Sequence, residues 1–342
     1  MISKKIKIQE YTSLSIQDKS TRSSLKKLVK SSNTYSDLNV NFLKLSVAMV
    51  KANTTRSASL KNFVYDTFLS ALSLNGLVEH KGSKLALRDG FRNKYRDFSK
   101  TSRTGELAQA INYIFAQEKL GYKFVLDYEE FISATKTPTK KTGATPDYVL
   151  FGKNSKNLAV LESKGSSASA KLPLATVRSR LFSAMDSQCG DGVRHLQKNG
   201  HLVSHSYASL VELVESSDVG ESVIHFADPD YDEFDNVDYS KAVESHYSRW
   251  LSFIGIFGSD LVVNTNEFEN IEVNGEQFVV QRTSNIDRYL NVPIRYGVSE
   301  RVLSMYKKGS FKDIYAMNTE VYSSDNVEIF SDGTIALEII KT

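Results

Sequence analysis

The stretch TPDYVLFGKNSKNLAVLESKG, residues 145–165, contains two short apolar runs with charged residues at their ends. Asp147 precedes the run YVLF, and Glu162 and Lys164 follow the run NLAVL. Both runs have the length and composition of β-strands, and the GKNSKN between them is typical of an exposed hairpin turn. Because a hairpin reverses the chain and pairs the start of one strand with the end of the next, we expect Asp147 and Glu162 to be neighbours.

The three charges of this hairpin suit one kind of chemistry. Side chains alternate between the two faces of a strand, so Glu162 and Lys164 share one face and Ser163 lies on the other. Two adjacent carboxylates repel unless a cation lies between them, and oxygen ligands of this kind suit Mg²⁺, with Mn²⁺ as a substitute. A lysine beside that cation can orient a water molecule and offset charge on a phosphorane-like transition state. This set predicts metal-assisted hydrolysis of a phosphodiester.

The order Pro146-Asp147, fourteen residues, then Glu162-Ser163-Lys164 resembles the motif of the PD-(D/E)XK nuclease superfamily. The elements predicted over residues 104–228 follow the order helix, strand, strand, strand, helix, strand, which is similar to the core of that superfamily. The resemblance covers roughly residues 100–230. It implies an α/β fold with a restriction-endonuclease-like αβββαβ core and a mixed central sheet.

The resemblance also implies further site residues. Glu106 takes the place of a metal-binding glutamate on the first core helix, and Glu118, three turns later, competes with it. Alternatively, Glu106 is only a favourable negative charge at a helix N-terminus. On the helix after the lysine, Gln188 is the candidate for a polar residue that reaches the site or the DNA backbone. Arg178 and Arg180 are candidates for phosphate contacts, or else are solvated helix residues.

Length and composition favour a folded protein. The chain has 342 residues, of which 41% are hydrophobic and 24% charged, as in ordinary globular domains. One cysteine, Cys189, excludes an internal disulfide framework and a cysteine-based zinc finger. The basic start lacks the apolar stretch of a secretory signal, and WLSFIGIFG at 250–258 is too short to span a bilayer. We therefore expect a cytoplasmic protein that does not enter the membrane.

Charge is distributed unevenly along the chain. Residues 1–100 carry 19 Lys and Arg against 7 Asp and Glu, and residues 101–200 carry 14 against 9. The remaining residues, 201–342, carry 10 against 24. A basic first half is the electrostatic footprint expected for a polyanionic partner such as DNA. The alternative is that the charges only keep the surface soluble.

The sequence predicts a basic, mainly helical N-terminal region over residues 1–100. Apolar residues recur at helical spacing in NVNFLKLSVAMVKA and in SASLKNFVYDTFLSALSLNGL. The following LVEHKGSKLALR is predicted to be a hairpin that turns at Lys81-Gly82. A helix followed by such a basic wing would form a DNA-binding unit, whereas an ordinary helical cap on the next domain is the better supported alternative.

The predicted nuclease-like core spans residues 101–260 and begins with a helix. Thr104 is its expected cap, and Gly121 ends it before the strand YKFVL. Beyond the hairpin, we expect a helix in LATVRSRLFSAMDSQ, a buried strand in ESVIHFAD and a covering helix in YSKAVESHYSRWLSFIGIF. Residues 261–342 form an acidic, β-rich part with hairpin turns at Asn274-Gly275 and Asp332-Gly333.

Two other motifs compete for a functional role. His201 and His205 have the i, i+4 spacing of a zinc pair, but leucine replaces the required glutamate and no third ligand is evident, so a loop or surface pair is favoured. A second Pro-Asp at Pro229-Asp230 is not followed by an E-x-K at hairpin distance and does not fit a calcium loop. We interpret it as a solvated acidic loop.

Taken together, the sequence predicts a Mg²⁺-dependent DNA endonuclease of restriction type or of a defence system against phage or mobile elements. The expected partners are DNA and either a second copy of the chain, since cutting two strands takes two sites, or other subunits of a defence system. A catalytically degenerate nucleic-acid-binding or assembly protein with the same fold is the alternative. A chance motif in an unrelated α/β domain is the third.

Overall fold

The structure, a computed structural model, describes most of the chain. The described residues are 3–13, 28–53, 73–74, 76–139, 143–152, 158–167, 171–228, 239–256, 263, 266–282, 294–324 and 326–338. Much of the predicted helix in SASLKNFVYDTFLSALSLNGL, the turn at 153–157 and the acidic loop with Pro229-Asp230 lie outside them.

The described residues form a mixed α/β structure with a central sheet of eight strands. These are β1 (Lys4–Ser13), β2 (Leu28–Lys30), β3 (Leu38–Val40), β4 (Phe124–Asp127), β5 (Tyr148–Phe151), β6 (Leu158–Ser167), β7 (Val203–Leu213) and β8 (Val223–Ala227). The order across the sheet is β2-β1-β8-β7-β6-β5-β4, and β3 pairs with β1. Strand β5 is antiparallel to both β4 and β6, whereas β6 is parallel to β7 and β1 is parallel to β8.

Helices cover both faces of this sheet. They are α1 (Phe42–Asn53), α2 (Phe91–Lys94), α3 (Asp97–Glu118), α4 (Tyr128–Ala134), α5 (Leu174–Ser183), a π-helical segment (Ala184–Cys189), α6 (Gly190–Lys198), α7 (Ser240–Ile254), α8 (Glu300–Lys307) and α9 (Phe311–Ala316). The long helix α3 lies on one face of the sheet, against β6. Helices α5 and α6, with the π-helical segment between them, form the crossover from β6 to the parallel strand β7 and cover the other face.

A second, antiparallel sheet follows in the C-terminal part. Its described strands are β9 (Phe268–Val273), β10 (Glu276–Gln281), β11 (Ile294–Ser299), β12 (Tyr322–Ser323), β13 (Val327–Ile329) and β14 (Thr334–Glu338), in the order β12-β13-β14-β11-β10-β9. Positive φ angles of 51° at Asn274 and 77° at Gly275 turn the β9–β10 hairpin, as the Asn-Gly pair predicts. The predicted turn at Asp332-Gly333 between β13 and β14 is also confirmed, with φ of 73° at Gly333.

The first core helix begins earlier than the sequence predicts. Helix α3 starts at Asp97, so Thr104 is a buried residue inside the helix and not its cap. The predicted apolar face is confirmed, since Leu107, Ile111, Ile114 and Phe115 are all buried. Residues 97–103 are polar apart from Phe98 and have no apolar periodicity, which is why the sequence did not indicate the first two turns. The end before Gly121, where φ is 77°, is as predicted.

Four of the eight strands of the central sheet, β1, β2, β3 and β7, were not predicted from the sequence. Strand β1 pairs in parallel with β8 and antiparallel with β2 and β3, so the N-terminal region supplies three strands to the sheet in addition to helix α1. The strand that follows the crossover helices is β7, and ESVIHFAD forms the next strand, β8. The element order from α3 to β7 is helix, strand, the short helix α4, two strands, helices and strand.

The predicted hairpin at Lys81-Gly82 is short. Val78 and Leu87 form a single antiparallel bridge, and Leu87 also bridges Glu215 after β7. The hairpin therefore lies against the central domain and does not project as a wing. No helix of the described residues is both long enough and apolar enough to cross a membrane.

Candidate active site

The β5–β6 pairing brings Asp147 next to Glu162. Tyr148 pairs with Leu161 in this hairpin, so the residues just outside that pair meet at the end of β5. The Asp147 N–H donates to Glu162 Oε2 at 3.2 Å. In return, the Ser163 N–H donates to Asp147 Oδ2 at 2.8 Å. The two carboxylates are thus held at one point by the backbones of both strands, as the hairpin predicts.

Lys164 lies between this carboxylate pair and the solvent. Its Nζ lies 2.5 Å from Glu162 Oε1, and the side chain of Lys164 is 41% exposed whereas that of Glu162 is 1% exposed. The alternation of β6 places both on the face covered by the crossover helices. The ammonium group therefore lies at the mouth of the site, with the carboxylates behind it.

The opposite face of β6 is packed tightly against α3. Asn112 Nδ2 donates to Ser163 Oγ at 2.7 Å, and Ser209 Oγ donates to Asn112 Oδ1 at 2.6 Å. A Cβ atom at Gly165 would lie 2.5 Å from the carbonyl oxygen of Thr104. A glycine is required at this position because any side chain would push α3 away from the sheet. These contacts fix the axial position of α3 relative to the site.

Gln109 is the α3 residue that reaches the carboxylates. Its Nε2 donates to Asp147 Oδ1 at 3.4 Å. Glu106 lies about one turn nearer the N-terminus, where its Oε1 accepts a hydrogen bond from Ser102 Oγ at 3.1 Å. No three His, Cys, Asp or Glu side chains within the described ranges form a group that could hold a metal ion. The structure therefore brings Asp147 and Glu162 together without adding Glu106 as a third carboxylate.

Glu118, the competing helix residue, lies at the other end of α3. Its Oε1 is 2.7 Å from Lys44 Nζ, and the same lysine lies 3.3 Å from Glu328. This pairing joins α3 to α1 and to the second sheet, far along the helix from Gln109. The contact gives Glu118 a structural role.

Asp127, at the end of β4, is a third acidic residue near the pair that the sequence did not indicate. It pairs with Tyr148 across β4 and β5, and its Oδ1 accepts a hydrogen bond from the Glu130 N–H at 2.9 Å, which caps α4. Its charge contributes to the raised pKa of Asp147. The only signal in the sequence was its place at the end of a predicted strand.

Burial and mutual repulsion make the two carboxylates poor acids. Burial is the main reason that the pKa of Asp147 is raised from its ordinary value. Burial, followed by the nearby charge of Asp147, raises the pKa of Glu162 to about 7, although Lys164 acts in the opposite direction. The site therefore resists carrying two negative charges at neutral pH.

The residues present fit a divalent cation of the magnesium type. Two carboxylate oxygens in a partly solvated site are the usual protein contribution to bound Mg²⁺, which keeps several waters as its other ligands. A cation there would also remove the repulsion that raises the pKa of Glu162. Asp147 and Glu162 are the residues that would hold it.

The π-helical segment Ala184–Cys189 lies behind the carboxylates, against β6 and β7. Burial, then the charge of Glu162, raises the pKa of the Cys189 thiol well above its ordinary value. The thiol donates to the carbonyl oxygen of Tyr207 at 3.4 Å, so Cys189 is an inert packing residue. Gln188, next to it, is half-buried on the same segment. Single π turns inside helices recur at functional sites.

Helix α6 fixes the start of β5. A Cβ atom at Gly192 would lie 2.4 Å from Cδ of Pro146, so the helix and the proline are in direct contact. Because Pro146 precedes Asp147, this contact restricts the backbone that carries the first carboxylate.

The two arginines of α5 lie over other strands. Helix α5 packs against β7 and β8. Arg178 is half-buried, and its positive charge acts on the Tyr11 phenol. Its Nε is buried without a hydrogen-bond partner among the described residues. Arg180 is exposed.

The two histidines of the competing motif have separate partners. His201 Nε2 lies 2.7 Å from Thr137 Oγ1, and His205 Nδ1 lies 3.2 Å from Asp228. His205 is on strand β7, so the i, i+4 spacing does not bring the rings together as it would on a helix. They do not form the predicted loop or surface pair, since His201 is buried and His205 lies on strand β7.

Comparison with protein-family models, with curated proteins and with solved structures gave no match to this chain. The functional argument therefore depends on the geometry of the site. A buried carboxylate pair with an adjacent, solvent-facing ammonium can hold a hard cation, accept a proton and stabilise a developing negative charge.

Proposed function

We propose that this protein is a metal-dependent phosphodiesterase of nuclease type, with a PD-(D/E)XK-like site on a restriction-endonuclease-like core. The observation that carries the proposal is the convergence of Asp147, Glu162 and Lys164 at the end of one hairpin, with Lys164 Nζ 2.5 Å from the buried Glu162. Burying two carboxylates side by side costs stability, so a functional reason is expected for the arrangement.

In this proposal each residue has a defined task. Asp147 and Glu162 hold a Mg²⁺ or Mn²⁺ ion, which when bound polarises the phosphodiester and lowers the pKa of a water molecule. The Ser163 N–H and the Gln109 amide keep the Asp147 carboxylate in position. Lys164 donates a hydrogen bond to the attacking water and offsets negative charge on the phosphate as the bond to the leaving oxygen breaks.

The substrate that we propose is DNA. The basic N-terminal part of the chain, with 19 Lys and Arg against 7 Asp and Glu in residues 1–100, supports a polyanionic ligand. The proposed setting is restriction or defence against phage or mobile elements, in the cytoplasm. A homodimer, or association with other defence subunits, would supply the second site needed to cut both strands.

A second candidate function is favoured by one observation. The described residues offer no third acidic ligand beside Asp147 and Glu162. A degenerate nuclease core that binds or assembles on nucleic acid without cutting it would keep the same hairpin and the same basic surface.

A cleavage assay separates these functions. Purified protein is incubated with supercoiled, linear and single-stranded DNA and with RNA, in Mg²⁺, Mn²⁺ or EDTA. We expect cleavage of DNA that requires the metal and is lost in Glu162→Gln and Lys164→Ala. Lys241→Ala is the matched control, because Lys241 is an exposed lysine paired with Glu244 at 2.7 Å on α7.

The outcome assigns the function. Metal-dependent cleavage that survives both site substitutions would refute the site. Binding without cleavage of any substrate would favour the degenerate protein.

A further inference from the structure

We propose that the N-terminal end of α3 and the segment before it form a docking surface for unpaired DNA beside the candidate site. This docking surface consists of the exposed Phe98 surrounded by Lys94, Arg96, Lys100 and Arg103. The inference rests on the proposed function and adds a substrate class to it, namely DNA with single-stranded ends or junctions.

The location of the surface follows from how α3 crosses β6. Asn112 contacts Ser163, and Thr104 approaches Gly165, so residue numbers fall along α3 as they rise along β6. The helix and strand are therefore antiparallel. The turns of α3 before Thr104 extend toward the C-terminal end of β6, which is also the end toward which the exposed Lys164 follows Glu162.

Phe98 is the unusual feature of this surface. It is 86% exposed, and among the described residues it is the only aromatic member of the exposed large apolar side chains, the others being Leu174, Val219 and Val321. A phenylalanine so exposed gains nothing from folding. An exposed aromatic ring inside a basic segment is the arrangement with which proteins stack the bases of a single strand.

The charge around Phe98 is strongly positive. Residues 91–103 contain five Lys and Arg and one acidic residue, Asp97. Asp97 is neutralised locally by Lys100, whose Nζ lies 2.7 Å from it. Lys94 and Arg96 are exposed, and neither is in an ion pair within the described residues. Such a patch is complementary to a phosphate backbone.

The surface is held in place before any ligand binds. Both terminal nitrogens of Arg92 donate to Asp218 at 2.6 Å, and Glu215 accepts the backbone N–H groups of Gly90 and Arg92 at 2.9 and 2.6 Å. These contacts fix the segment before α3 to the turn between β7 and β8. A preformed surface loses less entropy on binding.

The aromatic ring of Tyr95 gives the cations a common support. The Arg103 guanidinium lies 4.7 Å from the Tyr95 ring centroid, and Lys94 Nζ lies 5.4 Å from it. The stacked guanidinium keeps its N–H groups available for phosphate oxygens.

The distance from Phe98 to the carboxylates suits a single strand of DNA that runs from this surface into the site. Phe98 and Gln109 are eleven residues apart on α3, or about 16 Å along its axis. This corresponds to a few nucleotide steps, and to about five if the single strand keeps the roughly 3.4 Å rise of stacked DNA. A base stacked on Phe98 would place a phosphodiester several nucleotides away beside Asp147.

Fluorescence anisotropy in EDTA tests the inference without cleavage. The probes are a labelled 20-nucleotide single strand, a duplex with a single-stranded overhang and a blunt duplex. The variants are Phe98→Ala and Arg96→Ala, with Val321→Ala and Lys308→Ala as matched controls, because Val321 is 42% exposed and Lys308 is exposed, both in the C-terminal part.

We expect Phe98→Ala to weaken binding of the single strand and the overhang by about 5- to 150-fold, since base stacking contributes about 1–3 kcal/mol. Arg96→Ala should reduce the slope of log affinity against log salt concentration by about 1, the value expected for the loss of one phosphate contact. The blunt duplex should bind more weakly than the overhang, and both controls should bind like the wild type. Both patch residues are exposed, so thermal unfolding should be unchanged.

The results distinguish this inference from the proposed function. Wild-type affinity of Phe98→Ala and Arg96→Ala, with cleavage retained, would overturn the inference alone. Weakened binding by these variants in a protein that never cleaves would support the surface and overturn the nuclease. Absence of nucleic-acid binding by the wild type would overturn both. Binding of phosphatidylserine vesicles, but not of DNA, would assign the surface to a membrane and overturn the inference.

Discussion

Replacing Glu162 by glutamine should make the metal-free protein more stable and inactive. The pKa of Glu162 rises from an ordinary 4.5 to about 7, mainly because of burial and then because of Asp147. Each tenfold change in proton affinity corresponds to 1.36 kcal/mol, so ionising Glu162 in the folded protein costs about 3 kcal/mol. Glutamine keeps an acceptor for the Asp147 N–H and carries no charge.

The stabilisation should depend on pH with a definite sign. The folded-state pKa is above the unfolded one, so the stability contributed by the protonated group is complete below about pH 4.5 and is lost as the pH rises through about 7. The advantage of Glu162→Gln should be less than about 1 kcal/mol at pH 5 and about 3 kcal/mol at pH 8. Lys164 is 41% exposed, so water can solvate its charge when the partner is removed.

Urea unfolding in EDTA at pH 5 and pH 8 measures this difference. Adding Mg²⁺ at pH 8 should stabilise the wild type and reduce the advantage of the variant, because a ligand that binds only the folded state adds its binding free energy. A variant no more stable than the wild type at pH 8 would refute the reasoning that Glu162 is a strained, buried carboxylate.

Three further changes test other parts of the structure. Lys164→Ala should lower metal-dependent cleavage of supercoiled DNA by about 10²- to 10⁴-fold; normal cleavage would exclude its role at the transition state. Asp332→Asn should lower the free energy of unfolding, measured in urea, by about 3–5 kcal/mol. In the wild type the buried Lys51 Nζ lies 2.8 Å from the Asp332 carboxylate, and the substitution leaves that ammonium group without a charged partner. Wild-type stability would contradict that pairing. Gly165→Ala should lower the free energy of unfolding by about 1–3 kcal/mol, because the added methyl group would overpack the contact with α3. Gly105→Ala is the control and should not destabilise the protein, since a Cβ atom there meets nothing within 4 Å. Equal effects of the two substitutions would contradict the close approach of α3 to β6.

Asp332 is the opposite case to Glu162. It is fully buried, yet Lys51 and His246 hold its pKa below the ordinary value against the effect of burial. Stability contributed by this depressed pKa is complete above about pH 4 and is lost in acid as the pH falls toward the folded-state value. A buried carboxylate is thus stabilised beside the second sheet because the ammonium group of Lys51 is buried with it, whereas the cation of the candidate site is left at the surface.

The hairpin and its charges were predictable from local sequence. The register of a hairpin follows from its turn and from the alternation of side chains between the two faces of each strand. These two rules predicted that Asp147 and Glu162 are neighbours and that Glu162 and Lys164 share one face. Strand β7 was not predicted because Ser204, Ser206 and Ser209 give it a polar appearance, yet all three are buried. Their burial depends on partners from distant segments, such as Asn112 for Ser209.

The sequence by itself determined the pair of carboxylates, the lysine and the apolar face of α3, since each depends on a period of two or 3.6 residues. Tertiary structure decided which side chain of α3 meets the pair. Glu106 and Gln109 are three residues apart and share a helix face, so periodicity alone cannot choose between them. The axial position of α3 along β6 decides between them. The close contact of Gly165 with Thr104 and the hydrogen bond between Asn112 and Ser163 set that position. As a result, Gln109 reaches Asp147.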